Sequence, residues 1–374
     1  MRQAFKYRLF PTKKQAEFLN TQLAEAQRLY NAALQERRDA YSIGHVSINY
    51  YGQANQLKEI RANGDCTLEN FSCCQDVLKR VDKTFKAFFR RCKEGKGKAG
   101  FPRFKARDRY NSITFPSYGD GCRLLDNGKL RIQGAGQIKV KLHRAVEGTI
   151  KTVTVLREAG KYYVCFSCEV EAQPLPVLTN SVGIDVGLTT FAVLSDGTEI
   201  ENPRYFRKSE ERLAHAQQVL ARKKRGSNSR KKAKKTVQKV HAKIKNQRNN
   251  FHHQVSRFIV NNYGGIFVED LNIKGLASGM LAKSVNDAAW GGFLSKTSYK
   301  ALNAGRVYRE VYAPGTSQEC LCGAEVRKTL SDRWHHCVAC GLSEPRDHVS
   351  SKVIKSRGLR EYRKIPIPNE AACF

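Results

Sequence analysis

Residues 181–194, SVGIDVGLTTFAVL, decide the fold because they place one acidic side chain, Asp185, inside an otherwise apolar run. Apolar residues alternate there with Asp185 and two glycines, which predicts a buried strand, and residues 191–194 predict the second strand of a hairpin. A buried carboxylate costs free energy unless a cation or a hydrogen-bond donor meets it. Asp185 is therefore the first candidate for a functional acid.

Two other interpretations of this stretch stay open at this point. Asp185 can be an ordinary strand residue that caps a neighbouring backbone amide. Residues 185–189, DVGLT, also fit the D-x-G-x-T loop of actin-like ATPases and sugar kinases. That class needs a second D-x-G strand loop further along the chain, and none follows.

Two further acids follow Asp185 in an order that suggests a shared site. Glu269 lies near the end of the apolar run YGGIFVED, residues 263–270, which predicts another strand of the same sheet. Asp347 precedes apolar residues at helical spacing, so we expect it near the start of a helix packed on that sheet. Taken singly, Glu269 or Asp270 can cap a turn and Asp347 can be a helix N-cap.

Together, Asp185, Glu269 and Asp347 predict a metal site. Three converging carboxylates can hold two divalent cations about 4 Å apart, the arrangement that activates a water in phosphodiester cleavage. Oxygen ligands favour Mg²⁺ or Mn²⁺ over softer metals.

The charge of the chain indicates a polyanionic partner. Its 374 residues include 66 Lys and Arg against 34 Asp and Glu, a formal net charge of +32. Such an excess favours nucleic acid, because bound phosphates release their counterions. The sequence has no apolar stretch near 18 residues and no apolar signal-peptide core, so we expect a soluble cytoplasmic protein with no membrane partner. Eight of the 12 cysteines, including Cys373, show no ligand spacing, as in a reducing compartment.

The N-terminal part predicts a β-domain interrupted by helices. Residues 1–10 and 100–178 contain short apolar runs separated by turn residues, which predict a small barrel or sandwich, and residues 11–99 predict a helical unit with a basic exterior. A flexible basic break, residues 93–98, separates the two.

The segment GFPRFK, residues 100–105, places two phenylalanines beside Arg103 and Lys105. Aromatic rings next to cations stack bases while phosphates are held, so Arg103 and Lys105 are candidate nucleic-acid contacts. The two phenylalanines are equally compatible with a core position.

A second basic segment interrupts a pair of helices predicted in residues 206–262. Because such a dense cluster of one sign cannot pair with itself, we expect it to follow a phosphate backbone. A signal for nuclear import is the alternative. The cluster consists of Arg222, Lys223, Lys224, Arg225, Arg230, Lys231, Lys232, Lys234 and Lys235.

Residues 316–345 predict a zinc ribbon. Cys320 and Cys322 form a C-x-C pair, and Cys337 and Cys340 form a C-x-x-C pair about 15 residues further along. Four thiolates at this spacing form a closed structural site for one Zn²⁺. A histidine of the pair at 335–336 can replace one ligand, and a zinc-free loop is the alternative to the ribbon.

With these motifs in their order, the chain resembles the TnpB family of transposon-encoded proteins, which is similar to type V CRISPR effector nucleases. The resemblance covers nearly the full length. It rests on FKYRLFPT (5–12), GFPRFK (100–105), GIDVGL (183–188), ARKKRGSNSRKKAKK (221–235), VEDLNIKGL (268–276), GTSQEC (315–320) and CGLSEPRD (340–347).

The resemblance implies an α+β multidomain protein. Its RuvC-like nuclease domain of RNase H fold comprises residues 179–315 and 346–374, with the zinc ribbon inserted at 316–345. A wedge-type β-barrel, residues 1–10 and 100–178, is interrupted by a helical recognition lobe, residues 11–99.

The resemblance also implies a function. The three acids would form the two-metal catalytic site, and Arg346 would orient the scissile phosphate or Asp347. The partners would be a guide RNA derived from the transposon end and a double-stranded DNA target, which is cut beside a short transposon-adjacent motif. Both a monomer and a dimer are compatible with the sequence.

Two features depart from the family pattern: Val349 stands where the family has Asn, and the first cysteine pair is C-x-C. Neither change removes a catalytic carboxylate, so we expect an active nuclease. The alternatives are a nuclease-inactive, RNA-guided DNA-binding repressor and a guide-independent transposase or resolvase.

Overall fold

A computed structural model describes residues 1–95, 99–329 and 331–363 of the chain. Residues 96–98 of the predicted basic break, residue 330 of the predicted ribbon and residues 364–374 of the predicted nuclease domain, with Cys373, lie outside the described residues. The chain divides into two compact units, the first being Met1–Glu171 and the second beginning at Ala172. Each helix of the described residues is too short or too polar to cross a membrane.

The first unit contains a seven-stranded sheet in which β1 is central. The strands run in the order β2-β6-β7-β1-β5-β4-β3. All of the pairings are antiparallel. The strands are β1 (Arg2–Phe10), β2 (Ser112–Phe115), β3 (Cys122–Leu124), β4 (Lys129–Ile132), β5 (Gly136–Lys141), β6 (Thr149–Glu158) and β7 (Lys161–Glu169).

Three helices pack on this sheet and share its hydrophobic core, which joins Phe5 of β1 to Leu34 and Val81 of the helices. They are α1 (Lys13–Gly44), α2 (Tyr50–Ala62) and α3 (Phe71–Glu94). Each begins after a polar cap: the side chains of Thr12, Asn49 and Asn70 accept a hydrogen bond from a backbone N–H of the first turn. The predicted helices of this unit are confirmed.

The second unit contains a five-stranded mixed sheet with β8 at its centre. The order is β10-β9-β8-β11-β12, in which β9 is antiparallel to both of its neighbours, β10 and β8, and β8, β11 and β12 are parallel. These strands are β8 (Ser181–Val186), β9 (Thr190–Leu194), β10 (Glu199–Glu201), β11 (Gly265–Glu269) and β12 (Val307–Val311). The predicted hairpin of β8 and β9 is confirmed, and a small separate sheet pairs β13 (Trp334–His336) with β14 (Ser343–Pro345).

Helices cover both faces of the five-stranded sheet. Successive side chains of a strand point to opposite faces. Ile266 and Val268 of β11 pack with α5 and α8, whereas Phe267 packs with Ile354 of α9. The helices of this unit are α4 (Glu210–Ala221), α5 (Asn228–Asn262), α6 (Ile273–Leu276), α7 (Ala282–Ala288), α8 (Trp290–Asn303) and α9 (Arg346–Arg363).

Two glycines allow α9 to lie directly on the sheet. A Cβ at Gly183 of β8 would lie 2.1 Å from the carbonyl oxygen of Ser351, and one at Gly358 of α9 would lie 2.2 Å from the ring of Phe267. Only glycine permits so close an approach of backbone to its neighbour. The approach fixes the first turn of α9, with Asp347, relative to β8.

Candidate active site

Three acidic residues reach the centre of the five-stranded sheet from different elements. Asp185 lies in β8, Glu269 ends β11 and Asp347 lies in the first turn of α9. Because Ile184 of β8 pairs with Val268 of the parallel strand β11, the residues that follow them, Asp185 and Glu269, lie side by side. Neighbouring strands are separated by about 4.8 Å.

The charges of the other two acids act on Asp185. Burial raises the pKa of Asp185 well above its usual value, and the charges of Glu269 and Asp347 raise it further, while Arg346 opposes them. A like charge within a few ångströms disfavours ionisation in this way. A divalent cation would relieve both the desolvation and the repulsion.

Glu269 has its own set of neighbours. Burial raises its pKa, but a hydrogen bond from Thr316 and the charge of Arg357 act in the opposite direction. The hydroxyl of Thr316 donates to Glu269 Oε1. Both partners were missed by the sequence analysis, although Thr316 belongs to the GTSQEC motif.

Arg346 lies next to the acids as predicted. Its Nε donates to Asp347 Oδ1 at 3.2 Å, and its side chain is largely buried. His348 points elsewhere, to Glu199 Oε1 at 2.8 Å. Val349, which replaces the polar residue of the family pattern, is buried with 1% of its surface exposed.

The donor set of the three acids fits a hard divalent cation, since it offers carboxylate oxygens only. Their ligand atoms are less tightly grouped than those of the cysteines. In the part of the chain that the structure describes, Cys320, Cys322, Cys337 and Cys340 are the one group of three or more His, Cys, Asp or Glu residues whose ligand atoms all lie within 4.8 Å of one another.

The four cysteines form one compact cluster of thiols. The Sγ atoms of Cys320 and Cys340 are 3.6 Å apart, and those of Cys322 and Cys337 are 3.7 Å apart. Sulfur atoms that bind one zinc ion at about 2.3 Å are about 3.8 Å apart at tetrahedral angles. Backbone N–H groups of Cys340 and Ala339 lower the pKa of the Cys337 thiol to about 7. The cluster is compatible with zinc and needs no histidine ligand.

The basic cluster lies where α4 turns into α5. Arg222, Lys223, Lys224 and Arg225 are exposed in the turn, and Lys231, Lys232, Lys234 and Lys235 are exposed on the first turns of α5. Arg230 differs, because its guanidinium donates to the carbonyl oxygens of Leu220 and Lys223, both at 2.9 Å. It thereby satisfies free carbonyls at the end of α4.

In the first unit, the segment with Arg103 and Lys105 is held on the helices. Asn31 of α1 exchanges two hydrogen bonds with the backbone of Lys105, at 2.8 and 3.0 Å. Phe101 and Phe104 are exposed, and Arg38 lies 5.4 Å above the ring of Phe104. Exposed rings beside exposed cations therefore form one surface of this unit.

The fold and these sites define an α+β protein with an acidic centre of oxygen donors on a mixed sheet and a separate four-thiol cluster. Comparison with known proteins indicates the family. A family described as "Probable transposase" matches residues 165–279, and the description "Cas12f1-like, TNB domain" matches residues 290–354. A third, "Helix-turn-helix domain", matches residues 1–45, which here consist of β1 and α1.

Two relatives match over almost the whole chain. A protein of Streptomyces pristinaespiralis, named as a candidate RNA-guided DNA endonuclease, is 31% identical over 96% of this chain and 90% of its own length. The candidate RNA-guided DNA endonuclease InsQ of Escherichia coli (strain K12) is 28% identical over 95% of this chain and 92% of its own. The chain belongs to the TnpB family.

Among solved structures, the mini-RNA-guided endonuclease CRISPR-Cas_phi3 is similar with a TM-score of 0.48. The likeness covers 96% of this chain and 92% of that one, at 9% sequence identity.

Proposed function

We propose that this chain is an RNA-guided DNA endonuclease of a bacterial insertion sequence. It cuts double-stranded DNA next to a short transposon-adjacent motif, with a guide RNA derived from the transposon end. The observation that carries the proposal is the convergence of Asp185, Glu269 and Asp347 from β8, β11 and α9 in a chain of net charge +32. The names of its full-length relatives support the same activity.

The cutting centre consists of Asp185, Glu269 and Asp347, which would bind Mg²⁺ or Mn²⁺. Two such ions, when bound, activate a water and stabilise the leaving oxygen of the phosphodiester. The three carboxylates would set the position of the bound cations, and the cations would in turn position the scissile phosphate. Arg346, 3.2 Å from Asp347 Oδ1, keeps this carboxylate in place and adds a cation for the scissile phosphate.

The strand order of the second unit supports its assignment as an RNase H-like, RuvC-type domain. Numbered from β8, its strands have the order 3-2-1-4-5, in which only strand 2 is antiparallel to the central strand. We assign residues 179–315 and 346–374 to this domain and residues 316–345 to an inserted ribbon that holds one structural Zn²⁺. Residues 1–10 and 100–171 form the wedge-type domain, and residues 11–99 form the recognition lobe, whereas residues 172–178, which the sequence predicted in the wedge-type domain, belong to the second compact unit.

Two surfaces serve the nucleic acids. The basic cluster around the α4–α5 turn binds the phosphate backbone of a nucleic acid. The surface with Arg103, Lys105 and the two exposed phenylalanines binds phosphates through its cations and stacks bases on its rings. Guide pairing reads the target sequence, while the protein reads the backbone and the short motif.

The test is to express the chain together with its flanking transposon DNA and to sequence the RNA that co-purifies. The complex is then incubated with Mg²⁺ and a plasmid library with a randomised motif. Guide-dependent double-strand cuts beside one motif would support the proposal. Target binding without cutting would instead support a repressor, and cutting without any co-purified RNA would support a guide-independent transposase or resolvase.

A further inference from the structure

We propose that Thr316 is a positioning residue for Glu269, and that Arg357 holds the segment that carries Thr316. This inference rests on the proposed function, because it assigns Glu269 to the cutting centre. The segment, residues 312–319, joins β12 to the first cysteine of the four-thiol cluster and is called here the ribbon entry.

Thr316 is the part of the ribbon entry that touches the acidic centre. Only 3% of its surface is exposed, and its hydroxyl contacts Glu269 Oε1 as well as the carbonyl oxygen of Ala313, at 2.9 Å. A hydroxyl has one hydrogen to donate, and an ionised carboxylate is the stronger acceptor. The bond restrains the orientation of the Glu269 carboxylate, whose remaining lone pairs can bind a cation.

Arg357 of α9 holds the ribbon entry at three points, two backbone carbonyl oxygens and one side-chain carboxylate. Its guanidinium donates to the carbonyl oxygens of Tyr312 at 2.7 Å and Pro314 at 2.9 Å, and to Glu319 Oε2 at 2.5 and 3.0 Å. The planar fork of arginine suits such a set of acceptors, which a lysine cannot satisfy together. The segment between these points, with Gly315 at φ +83°, carries Thr316.

Two of the three acids are thereby linked through one network. Asp347 and Arg357 belong to the same helix, α9, while Glu269 belongs to β11. A path of direct contacts leads from α9 through Arg357 and the ribbon entry to Thr316 and Glu269. The network fixes the position of the Glu269 carboxylate relative to α9, the helix that carries Asp347.

The chain offers closely matched variants for a test. Thr316→Val removes the hydroxyl at nearly constant volume, and Thr316→Ser keeps it. Ser317→Ala removes a hydroxyl one residue along, from an exposed side chain. All three are prepared as RNA complexes, and thermal unfolding establishes that each is folded.

We expect Thr316→Val to lower kcat for target cleavage by about 10- to 100-fold, the loss typical of groups that orient metal ligands. KM for the target DNA should be unchanged, because the hydroxyl is buried and its hydrogen bonds are to Glu269 and Ala313 of the protein. Thr316→Ser should recover most of the rate, and Ser317→Ala should match the wild type. Equal rates for Thr316→Val and the wild type, or an equal loss in Thr316→Ser, would overturn the inference.

A second readout does not depend on cleavage. Mn²⁺ is titrated into the DNA-free complexes and free Mn²⁺ is measured by electron paramagnetic resonance, with Asp185→Asn as the reference for a disrupted site. Thr316→Val should bind Mn²⁺ about tenfold more weakly than the wild type. If the wild type cuts no DNA, the proposed function fails, whereas the Mn²⁺ titration still decides the role of Thr316: unchanged affinity would refute it.

Arg357→Lys tests the other half of the network. We expect kcat to fall in this variant too, because a lysine cannot make all of the hydrogen bonds by which the Arg357 guanidinium holds the ribbon entry. Because both residues act on the same carboxylate, the double variant with Thr316→Val should lose less than the product of the two single losses. Fully multiplicative losses would contradict a shared path.

Discussion

Gly183 of β8 lies against the backbone of Ser351 in α9, so closely that a Cβ on Gly183 would be 2.1 Å from the Ser351 carbonyl oxygen. This contact sets the position of α9 on the sheet. Since α9 carries Asp347 and the neighbouring residues of β8 include Asp185, the contact also sets the spacing of two acids.

Gly183→Ala should therefore destabilise the second unit and impair cleavage together. The added methyl group meets the backbone of α9, so the whole helix must shift, at a cost of about 1–3 kcal/mol in the free energy of unfolding. Urea unfolding and cleavage of a target plasmid measure the two effects. Gly279→Ala is the control, because its Cβ would meet only the Leu276 carbonyl oxygen at 4.0 Å. Equal stability of the two variants would refute the role of Gly183.

His252 makes the stability of the protein sensitive to acid. It is 1% exposed, its ring lies among Phe191, Phe251 and Phe293, and burial lowers its pKa to about 4. The unfolded chain binds a proton at the usual pKa of about 6.5, so the contribution of neutral His252 is complete above that pH and is lost as the pH falls toward 4.

The loss should reach about 3 kcal/mol between pH 6.5 and pH 4. The measurement is urea unfolding of the wild type and of His252→Gln across this range, in which their difference in stability should shrink as the pH falls. His241→Gln, an exposed position on the same helix, should follow the wild type. A constant difference between wild type and His252→Gln would contradict the prediction.

The four-thiol cluster should hold one zinc ion per chain. Cys337→Ser removes one of four ligands, so the zinc content should fall and the ribbon should lose its order, whereas Cys92→Ser, at an exposed cysteine outside the cluster, should keep its zinc. Mass spectrometry of the metal content measures this directly. Full zinc occupancy in Cys337→Ser would show that the thiols do not act as a set.

The α4–α5 turn should bind phosphate without regard to sequence. Lys232→Gln should weaken binding equally for different targets and reduce the slope of log affinity against log salt by about 0.9. Lys151→Gln removes the same charge from a side chain that already pairs with Glu169 at 3.0 Å, and should have a smaller effect. Binding measured at several salt concentrations distinguishes the two, and an unchanged slope for Lys232→Gln would exclude a phosphate contact.

Local sequence patterns were sufficient for the elements that carry the acids. The alternation around Asp185, the apolar run before Glu269 and the helical spacing after Asp347 each predicted an element that the structure contains. These signals arise from side chains that alternate between core and solvent within a few residues.

Contacts between distant segments could not be predicted in the same way. Thr316 and Glu269 are 47 residues apart, and nothing near either residue indicates their hydrogen bond. Arg230 looked like one more cation of the basic cluster, but the structure shows its guanidinium on the end of α4. The close approach of α9 to Gly183 likewise depends on packing between distant segments, which the pattern of apolar residues around Gly183 does not indicate.

The central claim is that one acidic centre makes the cuts, and Glu269→Gln tests it most directly. The control is Asp270→Asn, an exposed carboxylate one residue further along. Each RNA complex is incubated with a supercoiled target plasmid and Mg²⁺, and target binding is measured in parallel. We predict that Glu269→Gln binds the target normally but cuts at least about a hundredfold more slowly, beyond the loss typical of residues that only orient ligands, while Asp270→Asn cuts at the wild-type rate. Wild-type cutting by Glu269→Gln would contradict the account.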